Sequence, residues 1–164
     1  MYGMDNSQQK GITMTAQCFC GSVAFEFDGP TTNIEICHCS RCQRATGSPF
    51  AAEFRVRSEK FRWLRGEELI SFFDAPILRE PPAYRRSFCK TCGSPLPSVF
   101  TGNPVVAIPT GLVDGALPAR AADHIWVSKK ANWLNLREIG TLPEYDGDPP
   151  PESNASLNAP LKLE

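Results

Sequence analysis

The stretch "CFCGSVAFEF", residues 18–27, holds two signals that together decide the fold. Its second half alternates, which places Val23, Phe25 and Phe27 on one face of a strand. Its first half is a C-x-C followed by glycine, and alternation along a strand puts both thiols on the same side. A related pattern, "CKTCG", stands at Cys89–Gly93. Glycine lets the backbone curl there, so that both sulfurs face one point. A tetrahedral zinc ion with bonds of about 2.3 Å needs sulfurs roughly 3.8 Å apart, a spacing that a C-x-x-C turn supplies. Cys18, Cys20, Cys89 and Cys92 together complete a four-thiolate site. Zinc there would staple the first strand to a segment about seventy residues later, closing a long loop in the chain.

Three cysteines remain, Cys37, Cys39 and Cys42, in "CHCSRCQRATG", residues 37–47. Three protein ligands with an open position is the pattern of a catalytic zinc, whereas a structural zinc takes four. The fourth place would go to water or to an exchangeable ligand, and the ligand matched to an all-thiolate site is another thiol. Other partitions stay open on spacing alone. Cys39 and Cys42 could join Cys89 and Cys92, although their separation exceeds the usual spacing of roughly fifteen to twenty residues. His38 or His124 could complete the second site. Alternation points His38 away from its neighbours, and His124 opens an apolar strand, which favours a structural role for each.

The chain has 164 residues, 41% apolar and 21% charged, with net charge −1. That length suits one domain with a real core. The charge balance gives no electrostatic case for nucleic acid or an anionic membrane as partner, and no apolar run is long enough to span a bilayer. An odd count of seven cysteines without a secretory leader argues against a disulfide framework and for metal or chemistry in a reducing, cytoplasmic setting.

Most local signals are those of strands: "SVAFEF", "NIEIC", "PFAAEFRV", "EKFRWLRG", "ELISFF", "RRSF", "VVAIP" and "DHIWV". Ser40 to Ala45 is the good short-helix candidate, with Ser40 as N-cap and Gly47 as the stop. Residues 74–84 read as a Pro-rich loop. The expected fold is mainly β, a small antiparallel domain with at most one or two short helical turns. Residues 1–15 read as a loose N-terminal extension, 16–145 as the zinc-binding domain and 146–164 as a Pro-rich tail. Met14 could be an internal start.

Read in order, "CFCGSVAFEFDGP", "CHCSRCQRATGSPFAAEF", "FRWLRGE", "RSFCKTCGSPL", "HIWVSKKANWLNL" and "LPEYDG" resemble the glutathione-dependent formaldehyde-activating enzyme family. The likeness spans about Ala16 to Pro150 and rests on the three cysteine motifs together. It implies a β-tent architecture and an S-(hydroxymethyl)glutathione synthase-like carbon–sulfur lyase. It also implies two zincs, a structural one on Cys18, Cys20, Cys89 and Cys92 and a catalytic one on Cys37, Cys39 and Cys42. Glutathione is the implied cosubstrate and formaldehyde, or a related small aldehyde, its partner in the reaction. Residues 74–84 are longer than the family pattern, and the first thirteen residues are additional to it.

Zinc with three thiolates carries a net negative charge, and so does glutathione. Cations should offset this. Arg41 and Arg44 flank Cys42, and Arg44 is expected to reach the site from the helix; Arg85, Arg86, Lys129 and Lys130 are further candidates. Trp133 is expected in a core, or else in a pocket wall. Two competing readings are a non-catalytic zinc β module for a protein partner, which would need only the four-cysteine site, and an oxidoreductase cysteine pair, for which no βαβ unit is evident.

Overall fold

The computed structural model describes residues 12–30, 32–75, 84–137 and 146. The chain divides into two compact units, residues 1–131 and 132–164. The described residues of the first hold ten strands in three sheets, one α-helix and four single 3-10 turns.

The strands β1 (Thr13–Gln17) and β2 (Ala24–Asp28) form an antiparallel hairpin. Next come β3 (Ile34–Cys37), helix α1 (Ser40–Thr46), β4 (Ala51–Arg57) and β5 (Phe61–Arg65), the last of which pairs with the free edge of β2. A second hairpin joins β6 (Ile70–Ala75) to β7 (Tyr84–Cys89), and the two-residue β8 (Pro95–Leu96) extends it. The last strands are β9 (Val105–Pro109) and β10 (Ala121–Ile125). The sheets run β1-β2-β5, β10-β3-β4-β9 and β6-β7-β8.

Alternation does what the sequence predicts in and just before β2: Val23, Phe25 and Phe27 have no exposed surface. Phe54, Val56, Val106 and Ile108 reach the same core from β4 and β9. Fully burying a side chain of this size contributes about 1.5–3 kcal/mol. Phe25 also packs beneath Phe61 and edge-on to Trp63, with ring centroids 5.3 and 5.5 Å away. The face shared by Phe61 and Trp63 is therefore the face that covers the core.

Four boundaries differ from the sequence reading. β1 begins at Thr13, inside the stretch read as a loose extension, because Met14 and Ala16 alternate into the core. Asp74, Ala75 and Tyr84 are not loop residues: Asp74 faces Arg85 and Ala75 faces Tyr84 in the β6–β7 ladder. β10 stops at Ile125, because Trp126 takes a left-handed conformation (φ 58°) that no strand continues through. The antiparallel expectation fails at one place, where β10 lies parallel to β3. A parallel neighbour arrives by a long crossover, which local sequence does not announce. The rest of the loop read over 74–84, residues 1–11, and the Pro-rich tail apart from Asp146 lie outside the described residues.

Gly66 follows β5 with φ +74°, and a Cβ there would overlap the Ser22 carbonyl oxygen. Gly47 has φ +67° but open space around a Cβ. Gly47→Ala should therefore cost only the left-handed penalty of about 1–2 kcal/mol. Gly66→Ala should cost clearly more, since backbone must move as well, and urea midpoints of the two variants would show the difference.

Candidate metal centres

The first centre is built from two turns. Cys18 follows β1, and its N–H donates to the Val23 carbonyl (3.0 Å) while the Gly21 N–H donates back to the Cys18 carbonyl (2.9 Å). Cys89 ends β7 with the same pair of bonds: its N–H to Ser94 (3.0 Å) and the Gly93 N–H to its own carbonyl (2.9 Å). Both glycines have positive φ, 72° and 75°. The C-x-C thus lies in a turn like that of the C-x-x-C, and the expected strand geometry is corrected: the turn, not pleat alternation, aims the two thiols together.

The Sγ atoms of Cys18, Cys20, Cys89 and Cys92 all lie within 4.8 Å of one another. Cys18 and Cys20 are 3.5 Å apart, and Cys20 and Cys89 are 3.9 Å apart. Thiolates around one tetrahedral zinc stand roughly 3.8 Å apart, so the donor set fits that ion. The local fields divide the four. Burial raises the Cys18 thiol to about 11, against the Val23 N–H. The Ser94 hydroxyl and backbone N–H lower Cys92 to about 5.

The second centre is Cys37, Cys39 and Cys42, again with all sulfurs within 4.8 Å. Cys37 ends β3, Cys39 precedes α1 and Cys42 lies in its first turn. The N-cap of α1 is Cys39 rather than the predicted Ser40: its sulfur accepts the Cys42 N–H at 3.3 Å. One sulfur therefore serves as helix cap and cluster member together. Burial raises the Cys39 thiol, but the Cys42 and Arg41 N–H groups and the neighbouring thiols outweigh it and leave it below its ordinary value. Burial is dominant at Cys37 and most of all at Cys42, where it drives the thiol far up. A cluster with one easily ionised and two reluctant thiols suits a bound cation, which stabilises all three as thiolates. Among the described residues, these two groups are the ones whose potential ligand atoms converge, and neither contains a histidine.

The histidines pair with each other. His38 is fully buried, with Nε2 2.9 Å from His124 Nδ1 and the rings stacked at 5.2 Å. Burial, then His124, lowers the His38 imidazole, while the Pro49 carbonyl opposes this. Gln43 ties the surrounding segments together, its amide donating to the carbonyls of His38 (2.6 Å) and Lys129 (2.8 Å).

The arginines separate. Two residues along a helix amount to a turn of about 200°, and Arg44 is accordingly exposed where Cys42 is buried. The Arg41 guanidinium lies 5.3 Å from the ring centroid of Tyr84. Arg85 is held by Asp74 (2.6 and 2.8 Å) and covers Phe72, and Arg86 is held by Glu53 (3.1 Å). Lys130 donates to the Ala131 carbonyl. Trp133 is 70% exposed, so the expected core role does not hold.

Sequence reading passed over Tyr84. Its hydroxyl lies 3.8 Å from Cys42 Sγ, while its side chain also lines a groove with Glu53, Arg55, Ser98 and Phe100. Burial, then the neighbouring Cys42, raises its phenol well above the ordinary range. The only signal available was a tyrosine at the head of the strand that leads to Cys89, and the contact with Cys42 is made across the fold.

The molecule is a mainly β domain with one four-cysteine and one three-cysteine cluster, each able to hold a metal ion. The chain belongs to the glutathione-dependent formaldehyde-activating enzyme family, whose profile matches residues 13–129. A comparison with curated protein sequences gives no match. A solved structure of a Rhodobacter sphaeroides protein matches with a TM-score of 0.50 at 22% identity, covering 68% of this chain and 99% of that one. At such identity the likeness speaks for the fold alone.

The two clusters should respond differently to serine. Cys89→Ser removes a sulfur with no exposed surface from the first cluster, and should lose one metal equivalent and melt well below wild type. Cys39→Ser should lose the other equivalent with little thermal cost, because serine is itself a good N-cap and keeps α1 closed. Cys39→Ala should cost about 1 kcal/mol more than Cys39→Ser through the lost cap. Metal content by plasma emission, read beside melting curves, checks all three.

Proposed function

We propose that this protein is a zinc-dependent carbon–sulfur lyase that joins the glutathione thiol to formaldehyde or a related small aldehyde, giving S-hydroxymethylglutathione. The observation that carries the reading is the second cluster: three convergent sulfurs, one fewer than a closed tetrahedral site uses. The family match supports glutathione and formaldehyde as the reactants. Each of the seven cysteines stands outside a disulfide, which fits a reducing, cytoplasmic setting.

Cys37, Cys39 and Cys42 would hold the catalytic zinc, and Cys18, Cys20, Cys89 and Cys92 the structural one. A free thiol is only about 3% ionised at pH 7. Zinc at the three-cysteine cluster would supply the charge that keeps a fourth thiol ionised, worth at most roughly thirty-fold, about 2 kcal/mol. The remaining acceleration falls to the protein, which must orient the aldehyde carbon against the sulfur. The product carries a new C–S bond, and the former carbonyl oxygen takes up a proton to become the hydroxyl. Arg41 is the cation we assign to a glutathione carboxylate. Its support is its place over Tyr84, whose hydroxyl meets Cys42. Guanidinium pairs with carboxylate through two parallel hydrogen bonds, which lysine imitates poorly.

Exchange spectroscopy on labelled formaldehyde with glutathione measures the forward rate above the spontaneous one. Wild type carrying both metals should accelerate exchange, and Cys39→Ser should fall to the buffer rate. Wild type that holds both metals and leaves the rate at the buffer value would leave the module reading, a zinc-held scaffold for a protein partner. Arg41→Ala should raise the KM for glutathione roughly ten- to hundred-fold, the loss of a charge-assisted bond of about 1.5–3 kcal/mol.

A further inference from the structure

We propose that the Tyr84 hydroxyl is the hydrogen-bond donor that holds the Cys42 sulfur in place as a metal ligand. Tyr84 Oη and Cys42 Sγ are 3.8 Å apart, within reach for an O–H to sulfur bond. Between a neutral phenol and a thiol either atom could donate. A thiolate ligand can only accept, so in the loaded cluster the hydroxyl must be the donor.

The need for such a donor follows from burial. Cys42 is buried while Cys37 and Cys39 are partly open, so water can reach the other two sulfurs more readily. Cys39 also receives the Cys42 N–H. A hydrogen bond between two sulfurs of the cluster needs a thiol proton. Once all three are ligands those bonds are gone, and Tyr84 is the donor that remains to Cys42 among the described contacts.

Tyr84 is placed independently of the cluster it serves. It is the first residue of β7, held by pairing with Ala75 across the hairpin. It approaches from a strand, whereas Cys42 comes from a helix 42 residues earlier. Five residues further along the same strand stands Cys89 of the first cluster. β7 therefore ties both centres to one rigid element. Partners of this kind, one bond beyond the metal, typically change metal affinity by about 10- to 100-fold when removed. The inference rests on the reading that the three-cysteine cluster binds metal, and is independent of the aldehyde chemistry.

The test uses the full chain loaded with cobalt(II), whose thiolate charge-transfer bands report each sulfur's electron density. In Tyr84→Phe the band of the second equivalent should move to longer wavelength, since an unbonded thiolate gives up its electrons more readily. Chelator competition should show that equivalent weakened about 10- to 100-fold, with the first equivalent and the melting temperature unchanged. Fluorotyrosine placed at residue 84 keeps the ring and strengthens the donor, and should move the band the opposite way. This arm also serves if Tyr84→Phe folds poorly. Bands and affinity that match wild type in both variants overturn the proposal, as does equal weakening of both equivalents. Wild type that takes up only one equivalent overturns the metal reading of the cluster, and this inference with it.

Discussion

The convergence of Cys18, Cys20, Cys89 and Cys92 is the constraint on which the rest of the first unit depends. Two of these sulfurs belong to residues with almost no exposed surface, so the cluster is continuous with the core rather than appended to it. Cys18 continues the strand that brings Met14 and Ala16 inward, and Cys89 ends the strand that organises the β6–β7–β8 sheet. Sheets that share no ladder are thereby joined at one point. A structural zinc contributes about 10–16 kcal/mol in small zinc-finger domains, as large as the whole net stability of an ordinary domain. A fold of short strands with small cores can depend on such a joint for its existence.

The second cluster shows the opposite design. Its three sulfurs are gathered locally, by the end of β3 and the first turn of α1, within six residues. Local gathering leaves the rest of the fold free of it, and the helix is capped by one of the same sulfurs. The supporting contacts are long-range: Tyr84 from β7, Gln43 bridging to the Lys129 carbonyl, and the stack of His38, just past β3, on His124 of β10. A ligand set that is local and a support that is distant allow reactivity to be tuned without loss of the fold.

Charge is handled in the same spirit. Arg85 and Arg86 sit close in sequence to the first cluster, yet Arg85 is engaged by Asp74 and one nitrogen of Arg86 by Glu53. On the seven-residue helix Arg41 is half-buried with its guanidinium near the Tyr84 ring, while Arg44 is exposed. Spacing from a ligand in sequence is a poor guide to distance on a helix, where two residues is nearly half a turn.

The sequence by itself determined the local chemistry. Alternation in "SVAFEF" put three side chains into the core, and cysteine–glycine turns set the sulfur pairs. The three-residue cluster was marked by its own spacing. These features depend on residues within a few positions of one another, where steric rules and periodicity act directly. Only the tertiary structure decided the parallel β3–β10 pairing, the mutual histidine pair, the exposure of Trp133 and the arrival of Tyr84 at Cys42. Each of these joins or separates positions far apart in the chain. Their geometry is set by how sheets cross and helices rotate, and no local pattern of residues records it.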